Sequence, residues 1–337
     1  MREFEMAQQD YLQLSQEEQI NVVTALVPQL LEEFGVEARE IISINHGFNS
    51  SFKIITQADE SYALRINTNS KKTHIQVAGE IQLLEALAQA QIVRAPVPLR
   101  SRSGNPFVEM AAPFLDRTVL SVLNRWIEGE DLGEEATDEE LFQLGAIMAR
   151  LHLFAAELSS DVVQHFPRID RTLFNSPDNL HLPDDRLDLE IRHLIDDCLH
   201  RVESVFERLR STSPLIVIHA DLHPYNILKT SKGLAVLDFD DVGVGTRLQD
   251  LAISSFYLRD RTGGEEALKS GYQSVTDLPE CEPSYLEALL VSRQLLLLND
   301  LLDVTTAEEI AFTPTYIERT RVRLKNYLAT GRFELLM

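Results

Sequence analysis

The sequence predicts an α+β fold in two lobes, a small N-terminal one with an antiparallel sheet plus a helix and a larger, mostly helical C-terminal one. Three observations point there. The chain has 337 residues with an apolar fraction of 44%, enough for two modest cores. Up to about residue 125, short apolar runs alternate with turn residues, as strands do. After about residue 130 the periodicity becomes that of amphipathic helices. The boundaries are expected at residues 1–124 for the N-lobe, 125–132 for a linker and 133–337 for the C-lobe.

In order, residues 16–34 (QEEQINVVTALVPQLLEEF) read as one amphipathic helix, with Gly35 as its stop. ISINHGFNSSFKIIT and SYALRINT read as two strands of a hairpin turning at QADE. Residues 74–90 have helical periodicity, and the prolines and glycine of RAPVPLRSRSGNPF end it. RTVLSVLNRWIEGEDL reads as a buried strand running into the linker. Residues 138–158 form a strong amphipathic helix, 161–186 are irregular, and 187–210 are helical again. PLIVIHADL is a short apolar strand. NILKTSKGLAVLDFD is a hairpin turning at Ser231, Lys232 and Gly233, and the regions around 248–273, 284–303 and 314–329 are helical. There is no internal repeat.

Composition narrows the function. No run of 18 apolar residues exists, so a membrane span is not expected, and the acidic start MREFEMAQQD does not read as a signal peptide. Cys198 and Cys281 stand alone, which fits a reducing cytoplasm and gives neither a disulfide framework nor a cysteine zinc site. The net charge of −22 argues against nucleic acid as a partner. The charge is uneven: 11 basic and 16 acidic side chains in residues 1–128, against 20 and 37 in residues 129–337. Solubility alone explains such an excess, and the sharper reading is an acidic cleft for a cationic ligand. The run EEATDEE at 134–140 is most simply a solvated helix start.

The chemistry concentrates in IHADLHPYNILKTSKGLAVLDFDD. Phosphoryl transfer needs a carboxylate to receive or orient an acceptor hydroxyl, oxygen ligands for Mg²⁺, and donors that steady the phosphates. Asp221 on a loop after a strand suits the first task. Asn226 and Asp238, brought together by the intervening hairpin, suit the second. The same stretch offers a His-x-Asp-x-His cluster, His219, Asp221 and His223, which a zinc hydrolase could use, although it lacks a fourth ligand.

The segment resembles the aminoglycoside phosphotransferase and choline kinase family, which includes homoserine kinase-like and stress-response kinase branches. The family pattern is His-Gly-Asp-Leu-His-x-x-Asn, a hairpin, then Ile-Asp-Phe/Trp-x-Asp and a further Asp. Here it reads HADLHPYN and LDFDDVGVGTRLQDLA, and the likeness extends over about residues 40–260 through ARLH at 149–152, WIEGEDL at 126–132 and the N-terminal hairpin. The resemblance implies a two-lobed protein-kinase-like fold, ATP and Mg²⁺ as cofactors held between the lobes, and transfer of the γ-phosphoryl group to a hydroxyl. It implies Asp221 as catalytic base, His219 as the brace of the catalytic loop, Asn226 and Asp238 as metal ligands with Asp240 supporting them, and Asp250 as a structural anchor. It places Arg125, Trp126 and Ile127 where adenine meets backbone groups, and Asn49, Ser50 and Ser51 where phosphates are covered. Arg65 stands where the usual phosphate-binding lysine is, with Glu80 as its expected partner and a plain surface ion pair as the bland alternative. Lys53 is the next candidate clamp. Gly243 and Gly245 are expected to let the chain pass close to the metal loop, and His152 to contact the C-lobe core.

The acceptor expected is a small cationic or zwitterionic metabolite: an amino alcohol, a hydroxyamino acid or an aminoglycoside. The alternatives are a protein Ser/Thr kinase of the stress-response type and a non-catalytic nucleotide-binding regulator, the latter disfavoured by the intact Asp221, Asn226 and Asp238. A homodimer is left open.

Overall fold

The computed structural model describes residues 8–174 and 176–335. The chain forms two compact units. The first comprises the described residues up to Ala86, Pro96–Ile127 and Asp303–Phe312; the second comprises Leu87–Ala95, Glu128–Leu302 and the described residues from Thr313 on. Two segments thus depart from a contiguous division: residues 87–95 go with the second unit, and residues 303–312 return to the first.

The first unit opens with helices α1 (Gln8–Tyr11), α2 (Gln16–Thr24) and α3 (Val27–Phe34). The single helix expected over 16–34 is two. Pro28 lies in the first turn of α3 and has no N–H to continue the α2 ladder. Ser15 caps α2 in a capping box with Glu18, and Gly35 ends α3 at a φ of 73°. Strands β1 (Ala38–His46), β2 (Ser50–Thr56) and β3 (Ser61–Ile66) follow. The first expected strand is itself a hairpin, because His46–Asn49 turns the chain and Ser50 pairs back with His46. After α4 (His74–Ala90) come β4 (Pro98–Leu99), β5 (Val108–Ala112) and β6 (Arg117–Arg125). The antiparallel sheet runs β1-β2-β3-β6-β4, with β5 also on β6. One face of β2 and β3 (Phe52, Ile54, Leu64, Ile66) packs with Val23, Leu30 and Phe34 of α2 and α3. Val77 and Ile81 of α4 pack with Leu120 and Val122.

The sheet is also strapped by residues 303–312. Buried Gln19 donates to Thr305 O (3.0 Å) and accepts from Ala307 N (2.9 Å). Asn69 accepts from Thr305 N (2.8 Å) and donates to Glu309 Oε2 (2.9 Å) and to Gly47 O (3.0 Å), while its own N–H bonds Phe48 O (2.8 Å). One asparagine therefore joins the strap to the Gly47–Asn49 turn.

The second unit is built on α5 (Asp138–Ala156), α7 (Leu189–Thr212), α8 (Arg247–Leu258), α9 (Gly264–Gln273), α10 (Pro283–Leu301) and the part of α11 (Ala307–Thr330) from Thr313 on, with a one-turn helix α6 (Ser160–Val163). Helices α7, α8, α10 and α11 share one apolar core. Helices α5 and α9 meet backbone to backbone: a Cβ on Gly145 would lie 1.9 Å from Leu268 O, and one on Gly271 1.8 Å from Phe142 O. The expected helix over 248–273 breaks at Gly263, which has a φ of 79°. Helix α11 begins seven residues ahead of the expected 314, and Pro314 lies inside it. Two small sheets carry the loops of interest: β7 (Glu130–Asp131), β9 (Ile227–Thr230) and β10 (Gly233–Val236) form one, β8 (Ile216–Ile218) and β11 (Gly243–Gly245) the other. Gly243 and Gly245 lie in β11, against Ile169 and Ile218. Among the described residues no helix is long and apolar enough to cross a membrane.

Candidate active site

His219–Asn226 follows β8 directly, and its shape is imposed from below by Asp250. This buried carboxylate, in the first turn of α8, accepts from Ala220 N (2.8 Å), His219 N (3.3 Å) and His152 Nε2 (2.9 Å). Burial pushes its carboxyl up, but these donors hold it below the usual range. His152 is kept in place by Tyr272 OH (2.9 Å). Ala220 is bent to a φ of 64°, the left-handed region that glycine enters freely and alanine does not.

His219 donates from Nε2 to Leu237 O (3.0 Å) and accepts at Nδ1 from Asp221 N (3.3 Å), so both ring nitrogens are used within the loop. Burial depresses its basicity and keeps the ring neutral. A zinc site on His219, Asp221 and His223 is overturned by this arrangement, because no lone pair of His219 remains for a metal. Among the described residues no group of three His, Cys, Asp or Glu is arranged to hold one.

The Asp221 carboxylate is surrounded by donors. Asn226 Nδ2 lies 2.9 Å from Oδ2, His223 Nε2 3.3 Å from Oδ1, and the Arg293 guanidinium donates to Oδ1. Burial raises the carboxyl, yet Arg293 and His223 together hold it well below the usual carboxylate range. Asn226 and Asp238 flank the open end of the β9–β10 hairpin, where Ile227 pairs with Val236 and Leu237 N donates to Asn226 O (2.8 Å). With its Nδ2 engaged by Asp221, Asn226 leaves Oδ1 as a ligand-type oxygen. Asp238 has a φ of 55°, and its Oδ1 accepts from Asp240 N at 3.3 Å. An amide oxygen and a carboxylate are a hard set, matched to Mg²⁺, which takes one or two protein oxygens and completes its shell with phosphates and water.

The first unit holds the other group of expected residues. Arg65 Nη2 lies 2.8 Å from both oxygens of Glu80, which is 1% exposed. The expected pair therefore forms, and it is not a surface ion pair. Lys72, which sequence reasoning missed, joins it, with Nζ 3.2 Å from Glu80 Oε2. Ser51 pairs with Arg65 across β2 and β3 and so shares its face. Ser50 does not. Strand alternation turns it inward, where its hydroxyl bonds His46 Nδ1 (2.8 Å) and Thr68 Oγ1. The expectation that the Ser50 hydroxyl donates to phosphate is corrected on that ground. Tyr11 OH donates to the other nitrogen of His46 (3.2 Å), and burial pushes His46 down to about 4. Asn49 is buried in the turn. At the end of β6, Arg125 N and Trp126 N are taken by Val97 O (2.9 Å) and Ser61 O (3.0 Å), so those two backbone donors are not open to an adenine as expected. Lys53 Nζ sits 4.3 Å above the Trp126 ring.

The model of the phosphotransferase enzyme family matches residues 40–283, nearly three quarters of the chain. The chain belongs to the phosphotransferase enzyme family. No curated protein matches this phosphotransferase. Among solved structures, a microcompartment-associated aminopropanol kinase superposes with a TM-score of 0.69 at 20% identity, over 93% of this chain and 100% of that one. An amicoumacin kinase in complex with AMP-PNP, Ca²⁺ and Ami superposes with a TM-score of 0.68 at 17% identity, over 90% and 93%. Spectinomycin phosphotransferase with ADP and spectinomycin gives 0.58 at 13%, over 88% and 93%. At such identities the likeness establishes the kinase-like fold of the phosphotransferase.

Sequence reasoning missed three more residues beside Asp221. Arg293 lies in α10; its Nη2 also bonds Tyr257 OH (2.9 Å), and its Nη1 lies 3.6 Å from Asp241 Oδ2. Tyr257 stacks on His223 with centroids 3.9 Å apart. Burial and the neighbouring Asp221 push the Asp241 carboxyl up to about 8. A signal for Arg293 existed: it is the only charge between Ala288 and Leu298, and a lone charge in a buried apolar helix requires a partner.

Proposed function

We propose that the phosphotransferase moves the γ-phosphoryl group of ATP, with Mg²⁺, to a hydroxyl of a small cationic or zwitterionic metabolite. The observation that supports this reading is the hairpin end, where Asn226 bonds Asp221 through Nδ2 and accepts from Leu237 N, one residue ahead of Asp238. Asp221, with Asn226 and His223 on its oxygens, keeps a carboxylate lone pair for the acceptor hydroxyl and orients it. Its low basicity fits orientation ahead of early proton removal; in a loose transition state the proton leaves late. Asn226 Oδ1 and Asp238 would hold Mg²⁺, and a bound Mg²⁺ supplies neutralisation of the phosphate oxygens. Arg65, fixed by Glu80, and Lys72 supply cationic donors for the nucleotide phosphates. Asp221, Asp240 and Asp300 all act on the Asp241 carboxyl, and this acidic surround favours an ammonium-bearing acceptor. The aminopropanol and the aminoglycoside named for two structural neighbours support the same choice.

The test is ATP consumption across a panel of hydroxylated amines, amino acids and aminoglycosides, with Asp221→Asn as control. We expect turnover with one amine class and a kcat about 10²–10⁴-fold lower in the variant at nearly unchanged nucleotide affinity. Turnover only with neutral polyols, or full turnover in the variant, refutes the reading.

A further inference from the structure

Arg293 stands in the middle of α10, 5% exposed, among buried Leu289, Leu290, Val291, Leu295, Leu296 and Leu298. A guanidinium in such surroundings is destabilising by several kcal/mol unless it is paired and hydrogen-bonded. What it pairs with sets it apart from buried Arg323 and from half-buried Arg117 and Arg259. Arg117 is spent on the carbonyls of Asn67, Thr68 and Ser70, Arg259 on Glu265 and Glu287, and Arg323 on Gln294, all groups outside the candidate site. Arg293 donates from one nitrogen to Asp221 and to Tyr257 OH, stands over the Tyr257 ring at 5.6 Å, and leaves its buried Nε–H without a protein acceptor. Its position is dictated by the carboxylate and the tyrosine.

The consequence for Asp221 is geometric. A carboxylate offers about four lone-pair directions. Asn226 holds Oδ2, and Arg293 with His223 holds Oδ1, from opposite ends of the group. Two such anchors fix both the rotation and the tilt of the carboxylate plane, leaving one direction open. Without Arg293 the carboxylate is held from the loop side alone, and a displacement near 1 Å at a reacting group lowers rates by about 10².

We infer that Arg293 is a positioning residue of this phosphotransferase, acting on the acceptor hydroxyl through Asp221 and held for that purpose by Tyr257 and Asp241. The inference rests on the reading of Asp221 as the acceptor-binding carboxylate. It adds a part supplied from α10, outside the motif segment.

The experiment measures ADP release by the full chain with Mg·ATP, with and without 1-amino-2-propanol, water serving as acceptor when the amine is not taken. It compares Arg293→Gln, Arg293→Lys, Asp221→Asn and the double variant Asp221→Asn with Arg293→Gln, each with its melting temperature. Arg293→Gln is expected to lower kcat about 100-fold with KM for ATP within about twofold of wild type. Arg293→Lys should recover part of the loss, since it restores the charge but not the fork. The double variant should turn over no more slowly than Asp221→Asn, as for two residues that act as one unit. Losses that multiply in the double variant, or a KM for ATP that rises as much as kcat falls, overturn the inference. If Arg293→Gln fails to fold, Arg293→Lys carries the test: reduced kcat at an unchanged melting temperature supports positioning, and wild-type kcat overturns it. Wild-type turnover in Asp221→Asn overturns the reading of Asp221 and this inference with it. An inactive Asp221→Asn beside a fully active Arg293→Lys overturns the inference alone.

Discussion

Replacing Asp250 by alanine should unfold the second unit more readily and slow turnover, and the structure sets the size of the effect. The carboxylate accepts two hydrogen bonds of ordinary length, from Ala220 N and His152 Nε2, and one long one from His219 N. Hydrogen bonds to a charged acceptor contribute about 1.5–3 kcal/mol each, and every donor is left buried. The sum, about 4 kcal/mol, agrees with the 3–5 kcal/mol typical of breaking a buried ion pair by removing one partner. For a unit of about 200 residues this lowers the melting temperature by about 8–16 °C. The pH dependence follows from the depressed Asp250 carboxyl. A folded value below the unfolded one gives stability that is fully present above about pH 4 and is lost as pH falls through the folded value. The gap between wild type and variant should therefore be widest near neutrality and narrow in acid. Calorimetry at pH 7.5 and at successively lower pH measures it. Melting within about 2 °C of wild type at neutrality, or a gap that widens in acid, refutes the reasoning.

Two further expectations concern the nucleotide. Asp238→Ala should abolish Mg·ATP turnover more completely than Asn226→Ala, since it removes a charged ligand, and calorimetric Mg·ADP binding should weaken in both; unaltered metal dependence would defeat the assignment. Arg65→Ala should weaken ATP far more than adenosine, Glu80→Gln should do so more mildly, and the double variant should lose little beyond Arg65→Ala; additive losses in a binding titration would make the pair structural and shift the clamp to Lys72 or Lys53.

The parts legible in sequence are those built from local spacing. The hairpin register that joins Asn226 to Asp238 is fixed by a short turn at Ser231–Gly233, and the pairing of Arg65 with Glu80 follows from a strand leading into a helix. What stayed hidden depends on which face a residue takes or on a distant part of the chain. Ser50 and Ser51 are adjacent and identical in chemistry, and only the pleat sends one hydroxyl into the His46 network and the other to the Arg65 face. Arg293 follows Asp221 by 72 positions, so no local pattern links them. The break between α2 and α3 was signalled by Pro28, but the amphipathic pattern runs across it in phase and masked it.

The strap at residues 303–312 makes the order of synthesis matter. Everything else in the first unit has left the ribosome by Ile127, but Gln19 and Asn69 find their partners only after Thr305, Ala307 and Glu309 emerge. At about 5–20 residues per second, that is a delay of about 10–35 s. Through that interval Gln19 and Asn69 lack their strap partners, and the Gly47–Asn49 turn lacks its outer tie. A nascent chain stalled with Ile127 clear of the ribosome, but before residue 303 emerges, should therefore be cut at this turn by a protease that spares the finished protein.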